Sequence, residues 1–295
     1  MMRRPFIVAE MSASHLGSLA RAHAIIEAAA HAGADAIKVQ AFTPEQMVDA
    51  DRMIETGPWA GRLAIDLYRE ALTPREWFPE LFQHAAEVAL VAFASVFHPD
   101  DVDFLETLGC PTYKIASFEL TDTALIAHAA RTGKPLIIST GMATADEIAI
   151  AMRVAHSSGC RDITMLKCTS AYPATETEAN LRTILHMLAW LSASSKHHPE
   201  DWTKWAVGLS DHTIGHTCAV VATALGATVI EKHLTLRRKD GGPDATFSME
   251  PEEFAKMVTE CRIAAASVGN VQYGPTPGEA AQMLLRRKPG GKRGD

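Results

Sequence analysis

The sequence lacks three things: a surplus of basic charge, a long apolar run and any paired spacing of cysteines. Its 295 residues carry 28 Lys and Arg against 35 Asp and Glu, a formal net charge of −7. Binding nucleic acid needs a clustered excess of Lys and Arg, so nucleic acid is not an expected partner. The one basic run, from Arg286-Arg287-Lys288 to Lys292-Arg293, is interleaved with Pro289, Gly290 and Gly291 and reads as a disordered tail over 276–295. No apolar stretch is long enough to span a bilayer, so no membrane partner is expected. The N-terminal Pro5-Phe6-Ile7-Val8-Ala9 meets Glu10 too soon to be the core of a signal peptide. The five cysteines are scattered, odd in number and never spaced C-x-x-C. That argues against a disulfide framework and a structural zinc site, and for a soluble protein of the reducing cytoplasm.

What is present is an ordinary globular composition, 47% hydrophobic and 21% charged. Apolar, β-branched runs fall at 6–11, 36–40, 91–97, 112–117, 135–140, 163–169, 205–210 and 229–233. Amphipathic helical patterns follow them at 20–32, 74–88, 100–108, 123–132, 145–158, 178–192, 217–225 and 251–268. Near-continuous hydrophobic strands are buried on both faces, which implies a parallel sheet. Eight strand–helix units in about 250 residues match a (β/α)8 TIM barrel over 1–275. A doubly wound open sheet is the alternative. The stretch 43–73, with Trp59, Arg62 and Tyr68, reads as a long insertion after the second strand, and such loops at a barrel mouth commonly cover substrate.

Polar residues are uncommon inside such strands, and here they gather at the C-terminal ends, where barrel active sites lie. They are Glu10, then Lys38 and Gln40, Ser95, Lys114 with Ser117 and Glu119, Ser139, Lys167 with Ser170, Ser210 with His212, and Glu231 with His233. Three ammonium groups converging in a low-dielectric mouth would repel one another, so Lys38, Lys114 and Lys167 together imply an anionic ligand carrying phosphate and carboxylate. Serine and threonine hydroxyls would add uncharged donors to the same oxygens. Side chains alternate along a strand, so Ser210 and His212 share one face, as do Glu231 and His233. If the two strands are neighbours, the imidazoles can hold a divalent metal; Mn, Co, Fe or Zn suit them, Mg only weakly. A pair of ordinary core histidines is the alternative. His216 reads as a helix-start residue, while His15 and His98 lie in mouth loops where ligand contact stays open.

At these residues the sequence resembles the sialic acid synthase family, which condenses phosphoenolpyruvate with an N-acylated amino sugar. The resemblance runs from about Pro5 to Pro275. It rests on Ala9-Glu10-Met11-Ser12, Gly33-Ala34-Asp35-Ala36-Ile37-Lys38, Tyr113-Lys114-Ile115-Ala116-Ser117, Ser139-Thr140-Gly141-Met142-Ala143-Thr144, Ser210-Asp211-His212-Thr213 and Glu231-Lys232-His233. Within the family it is most similar to the pseudaminic acid synthases, through Leu166-Lys167-Cys168-Thr169-Ser170-Ala171-Tyr172-Pro173, the Trp59-Ala60-Gly61-Arg62 insertion and Gly241-Gly242-Pro243-Asp244. Sialic and legionaminic acid synthases, or a related condensation with another aldehyde, are the alternatives within the class; a non-catalytic anion-binding or partner-dependent barrel is the alternative outside it.

The resemblance implies a transferase in which His212 and His233 hold the metal, Mn2+ foremost, with Mg2+ or Co2+ able to replace it. It implies that Lys38, Ser95, Lys114, Ser117, Ser139 and Ser210 bind phosphoenolpyruvate, with Ser170 in the anion-contacting turn. Gln40, Lys167, Tyr172 and Glu231 belong to the same substrate-binding set. Glu10 and Glu119 would contact the sugar or handle protons. Three departures stand out. The family's Gly-Asn-His-Asn is here Ala13-Ser14-His15-Leu16, and its Ser-Thr-Pro-Phe-Asp is Ala94-Ser95-Val96-Phe97-His98. The sequence also stops soon after Tyr273-Gly274-Pro275-Thr276, where the family pattern continues into a small antifreeze-like domain. A homodimer is expected by resemblance, with the lid supplied by another chain or by the long insertion alone.

Overall fold

Each apolar run becomes a strand in the computed structural model of the chain, which describes residues 4–197, 205–287 and 289–291. The strands are β1 (Phe6–Glu10), β2 (Ala36–Ala41), β3 (Val91–Val96), β4 (Tyr113–Ile115), β5 (Leu136–Ser139), β6 (Ile163–Cys168), β7 (Ala206–Asp211) and β8 (Val229–His233). All pair in parallel and in sequence order, and β8 returns to β1 from Phe6↔Val229 to Glu10↔His233, closing the barrel. The architecture is the (β/α)8 barrel; the open doubly wound sheet is excluded by that closure.

Ten helices accompany the strands among the described residues: α1 (Leu19–His31), α2 (Pro44–Met47), α3 (Ala64–Ala71), α4 (Phe78–Glu87), α5 (Pro99–Thr107), α6 (Thr123–Arg131), α7 (Ala145–Ser157), α8 (Arg182–His197), α9 (Thr217–Ala224) and α10 (Pro251–Val268). Their starts are chemically marked. The Thr144 hydroxyl accepts from Glu147 N while the Glu147 carboxylate accepts from Thr144 N, a reciprocal cap worth about 1 kcal/mol. His98 caps α5, its Nδ1 accepting from Asp100 N. Nothing among the described helices is long and apolar enough to cross a membrane.

The insertion 43–73 is not loop throughout. It contains α2, an antiparallel bridge between Met53 and Leu63, and α3, which buries Ala64 and Ile65. A tight 3-10 turn at Ser12–His15 also precedes α1, and a second one, Ser117–Glu119, shortens β4 to three residues. Past α10 the chain forms 3-10 turns over Pro277–Leu285 with no buried side chain; Lys288 and 292–295 of the basic tail lie outside the described residues.

Two packed layers hold the barrel. Between strands and helices lie fully buried Ile25, Ile26, Leu105, Ile126, Ile138 and Ile230, each burial worth about 1.5–3 kcal/mol. Inside the barrel, register partners point the same way, because parallel neighbours share a pleat. Phe93, Ile137, Leu166 and Val229 fill its lower part. Gly208 sits among them, where a Cβ would come within 2.3 Å of the Val229 carbonyl oxygen and 2.6 Å of Leu166 Cδ2.

Candidate active site

Above that apolar filling, the interior turns polar at the C-terminal strand ends. The register rows Glu10↔Lys38, Gln40↔Ser95, Ser95↔Lys114 and Ser210↔Glu231 bring these side chains into one ring. Lys38 Nζ lies 2.5 Å from Glu10 Oε2 and 3.6 Å from Glu231 Oε1, and it donates to Ser95 Oγ at 2.8 Å. Gln40 donates to Glu10 Oε1 at 3.0 Å and to Ser12 Oγ at 3.1 Å; Ser210 donates to Glu231 Oε1 at 3.1 Å. Burial works against the charge of Lys38, but Glu10 and Glu231 outweigh it and hold the ammonium above its ordinary range. Glu10 is pushed up by burial, with Glu231 adding to the effect, while Lys114 and Lys38 hold Glu231 down against its own burial.

Lys114 is different. Its ammonium donates to the Ile115 carbonyl at 3.1 Å, and burial lowers its proton affinity. Beside it Ser117 Oγ accepts from Gly141 N at 3.0 Å. A Cβ on Gly141 would fall 2.3 Å from Ser170 Oγ and 2.8 Å from Ser117 Oγ, so the missing side chain is what lets the two hydroxyls converge. The Ser139 hydroxyl is buried without a protein hydrogen-bond partner. One ammonium and three hydroxyls thus form a cradle suited to anionic oxygens. Glu119 sits at its edge, its carboxyl pushed up to about 7 by burial against the pull of Lys114, and its Oε2 has no partner.

On the other side stand His212 and His233, ring centroids 5.4 Å apart. His212 Nδ1 faces the Thr169 carbonyl at 3.0 Å and Cys168 Sγ at 3.8 Å, which puts a ring hydrogen on Nδ1; burial works against the charge of the imidazole, but Cys168 and the Thr169 carbonyl outweigh it and raise its proton affinity. Burial, followed by His212 and the nearby lysines, drives His233 well below the ordinary imidazole range, so it is neutral. Its Nδ1 is buried without a hydrogen-bond partner, 3.7 Å from Asp244 Oδ2, and Glu231 Oε2 is likewise unpartnered. The lone pair of His233, the Nε2 of His212 once its proton is released, and the orphaned carboxylate oxygens beside them fit a divalent ion. Among the described residues no group of three His, Cys, Asp or Glu is arranged to hold a metal, so the remaining positions would fall to water or substrate.

An aromatic roof covers this half. Tyr172 lies 4.5 Å from the His212 ring and 5.4 Å from Phe247, and Phe247 lies 5.0 Å from His233. Trp59 reaches across from the insertion to 5.7 Å from Tyr172, its indole N–H donating to the Pro243 carbonyl at 3.1 Å.

Lys167 does not join the ring. It pairs in register with Leu209 on the outer face of the barrel, where its ammonium donates to the Cys168 carbonyl at 2.7 Å and Thr169 Oγ1 at 3.1 Å. The three-lysine convergence expected from sequence is therefore two lysines, facing two glutamates. His15 is a buried strut: Gly17 N–H donates to its Nδ1 at 3.0 Å and Thr73 Oγ1 lies 3.2 Å from Nε2. His98 is occupied in capping α5, and His216 starts α9 while pairing with Glu260 at 2.8 Å. Asp244 was not among the expected site residues. Only its place in a Gly-Gly-Pro-Asp turn beyond the last strand could have singled it out.

Comparison with known proteins shows the family of the chain. The model of the NeuB family matches residues 25–273. The pseudaminic acid synthase of Campylobacter jejuni is 39% identical over 272 residues, covering 91% of this chain and 76% of its own length. That of Helicobacter pylori is 40% identical over 273 residues, covering 91% and 77%. The crystal structure of the N-acetylneuraminic acid synthetase of Leptospira borgpetersenii superposes with a TM-score of 0.83 at 30% identity, over 95% of this chain and 90% of that one. The chain belongs to the NeuB family, the sialic acid synthase family to which its strand-end motifs point.

Proposed function

We propose that this chain joins phosphoenolpyruvate to the open-chain aldehyde of an N-acylated amino sugar, forming a nonulosonic acid and releasing phosphate. The acceptor we assign is the trideoxy diacetamido altrose that yields pseudaminic acid, an assignment supported by the 39–40% identity to proteins named pseudaminic acid synthases. The observation that carries the reading is the meeting, in one buried mouth, of the Lys114–Ser117–Ser139–Ser170 cradle with the His212–His233 pair.

In this reading the cradle holds the phosphate and carboxylate of phosphoenolpyruvate. Lys38, kept charged by Glu10 and Glu231, fixes the Ser95, Gln40 and Ser210 network around it. Tyr172 forms the wall on the sugar side. A divalent metal, Mn2+ by assignment with Co2+ or Mg2+ able to replace it, belongs to His212 and His233 and supplies polarisation of the aldehyde oxygen and an activated water. The enol carbon bonds to the aldehyde carbon. Water adds to the resulting cationic centre, and phosphate leaves with the bridging oxygen, so C–O and not P–O is cleaved. Both reactants are anionic, so the two lysines act chiefly by electrostatic stabilisation. Glu119, with its carboxyl near 7, can hold or release a proton close to neutrality, and we assign it the proton of the new hydroxyl.

Purified protein with Mn2+, phosphoenolpyruvate and the altrose is expected to release phosphate in step with loss of both substrates. No turnover at high protein concentration would overturn the reading. Faster turnover of N-acetylmannosamine or of the legionaminate precursor would reassign the acceptor.

A further inference from the structure

The outer faces of β7 and β8 are apolar except at one place. Val207, Leu209 and Ile230 pack beneath the helices, and then Asp211 and Lys232 follow as register partners. Alternation that sends Ser210, His212, Glu231 and His233 inward sends these two outward. Lys232 is 0% and Asp211 3% exposed, and Nζ lies 2.8 Å from Oδ2. Asp211 Oδ1 accepts from Thr213 N at 3.0 Å and from Thr213 Oγ1 at 2.8 Å, while the Lys232 ammonium also donates to the Thr213 carbonyl. A buried ion pair is weak ground for stability, because desolvation offsets most of the attraction. Its position suggests another use.

Pairing between β7 and β8 ends at Asp211↔Lys232, so His212 stands one residue beyond the ladder. Its carbonyl is held by Ala174 N at 3.0 Å, and its side chain by Thr169. Lys232 grips the residue before His212 and the residue after it, and is itself bonded in sequence to His233. One side chain thereby fixes the relative position of the two imidazoles. We propose that Asp211 and Lys232 are positioning residues, a charged clamp on the outside of the barrel that sets the separation of the two histidines on the inside. This rests on the assignment of His212 and His233 as metal ligands.

The test is Mn2+ binding to purified protein, read by calorimetry and by the loss of free Mn2+ signal in electron paramagnetic resonance, with thermal melts alongside. The clamp predicts that Lys232→Met and Asp211→Asn weaken Mn2+ binding at least ten-fold at temperatures where both are folded. Asp211→Asn, which keeps an acceptor for Thr213, should be the milder. The double variant D211N/K232M carries no unpaired buried charge, so it guards against a misfolded single variant and should still bind at least ten-fold more weakly. Mn2+ affinity within two-fold of wild type in the folded double variant, whatever its melting temperature, would overturn the clamp and leave the histidine assignment standing. Undiminished binding in His233→Ala would overturn the histidine assignment itself, and the clamp with it.

Discussion

Gly141 shows how a single missing side chain shapes the candidate site. Its backbone needs no left-handed conformation, but a Cβ there would meet the Ser170 and Ser117 hydroxyls, which would have to turn away, and Ser117 Cβ at 3.2 Å, which would have to shift. Gly141→Ala should therefore lower the melting temperature modestly while raising the KM for phosphoenolpyruvate on the order of ten-fold, the worth of a hydrogen bond to a charged group. Steady-state kinetics beside a thermal melt would check this. His15 makes a different prediction. Burial lowers its pKa to about 4 from the 6.5 of an exposed imidazole. Between those values the unfolded chain binds a proton that the folded chain does not, so stability falls as pH drops from 6.5 towards 4, by up to about 3 kcal/mol. Urea unfolding at pH values across that window should show a steeper acid loss in the wild type than in His15→Gln. Which residues gather in the candidate site was largely legible, because a charged or hydroxyl side chain inside an apolar strand demands a partner. Lys167 was misread because β6 is apolar on both faces, and its pattern does not say which face turns inward. Asp244 escaped because no periodicity locates a residue in a turn.

At the level of elements, the insertion after β2 matters most. Its two helices were not legible: α2 is barely one turn long and α3 little more than two, both far below the length at which a helix is stable alone, so their formation depends on what they pack against. Its reach over the mouth is a tertiary fact, made by the Trp59 bond to Pro243 and the contact with Tyr172. Because Trp59 touches the aromatic roof and not the cradle, Trp59→Ala should raise the KM for the amino sugar about ten-fold and change that for phosphoenolpyruvate less than two-fold. Trp59→Phe, which keeps a ring but loses the bond, should lie between. Equal effects on both substrates would mean that the insertion does not belong to the sugar side.

The whole barrel was the most legible feature, since eight strand–helix units recur and glycines such as Gly33 and Gly133 end helices with positive φ. Closure was not legible from any one strand; it depends on β8 finding β1, and it is closure that carries the polar strand ends into a single ring. In that ring Lys38 and Lys114 face Glu10 and Glu231, so the mouth is near charge balance, and the anion specificity we assign comes from the directed donors of the cradle. The central claim is a condensation in which the enol carbon makes the new bond and phosphate departs by C–O cleavage. Its most direct test is phosphorus NMR of the reaction with phosphoenolpyruvate carrying heavy oxygen at the bridging position, in the presence of Mn2+ and the altrose. The account predicts that all the heavy oxygen appears in the released phosphate, with none in the sugar acid. Heavy oxygen retained in the sugar acid, or phosphate released without the sugar, would contradict it.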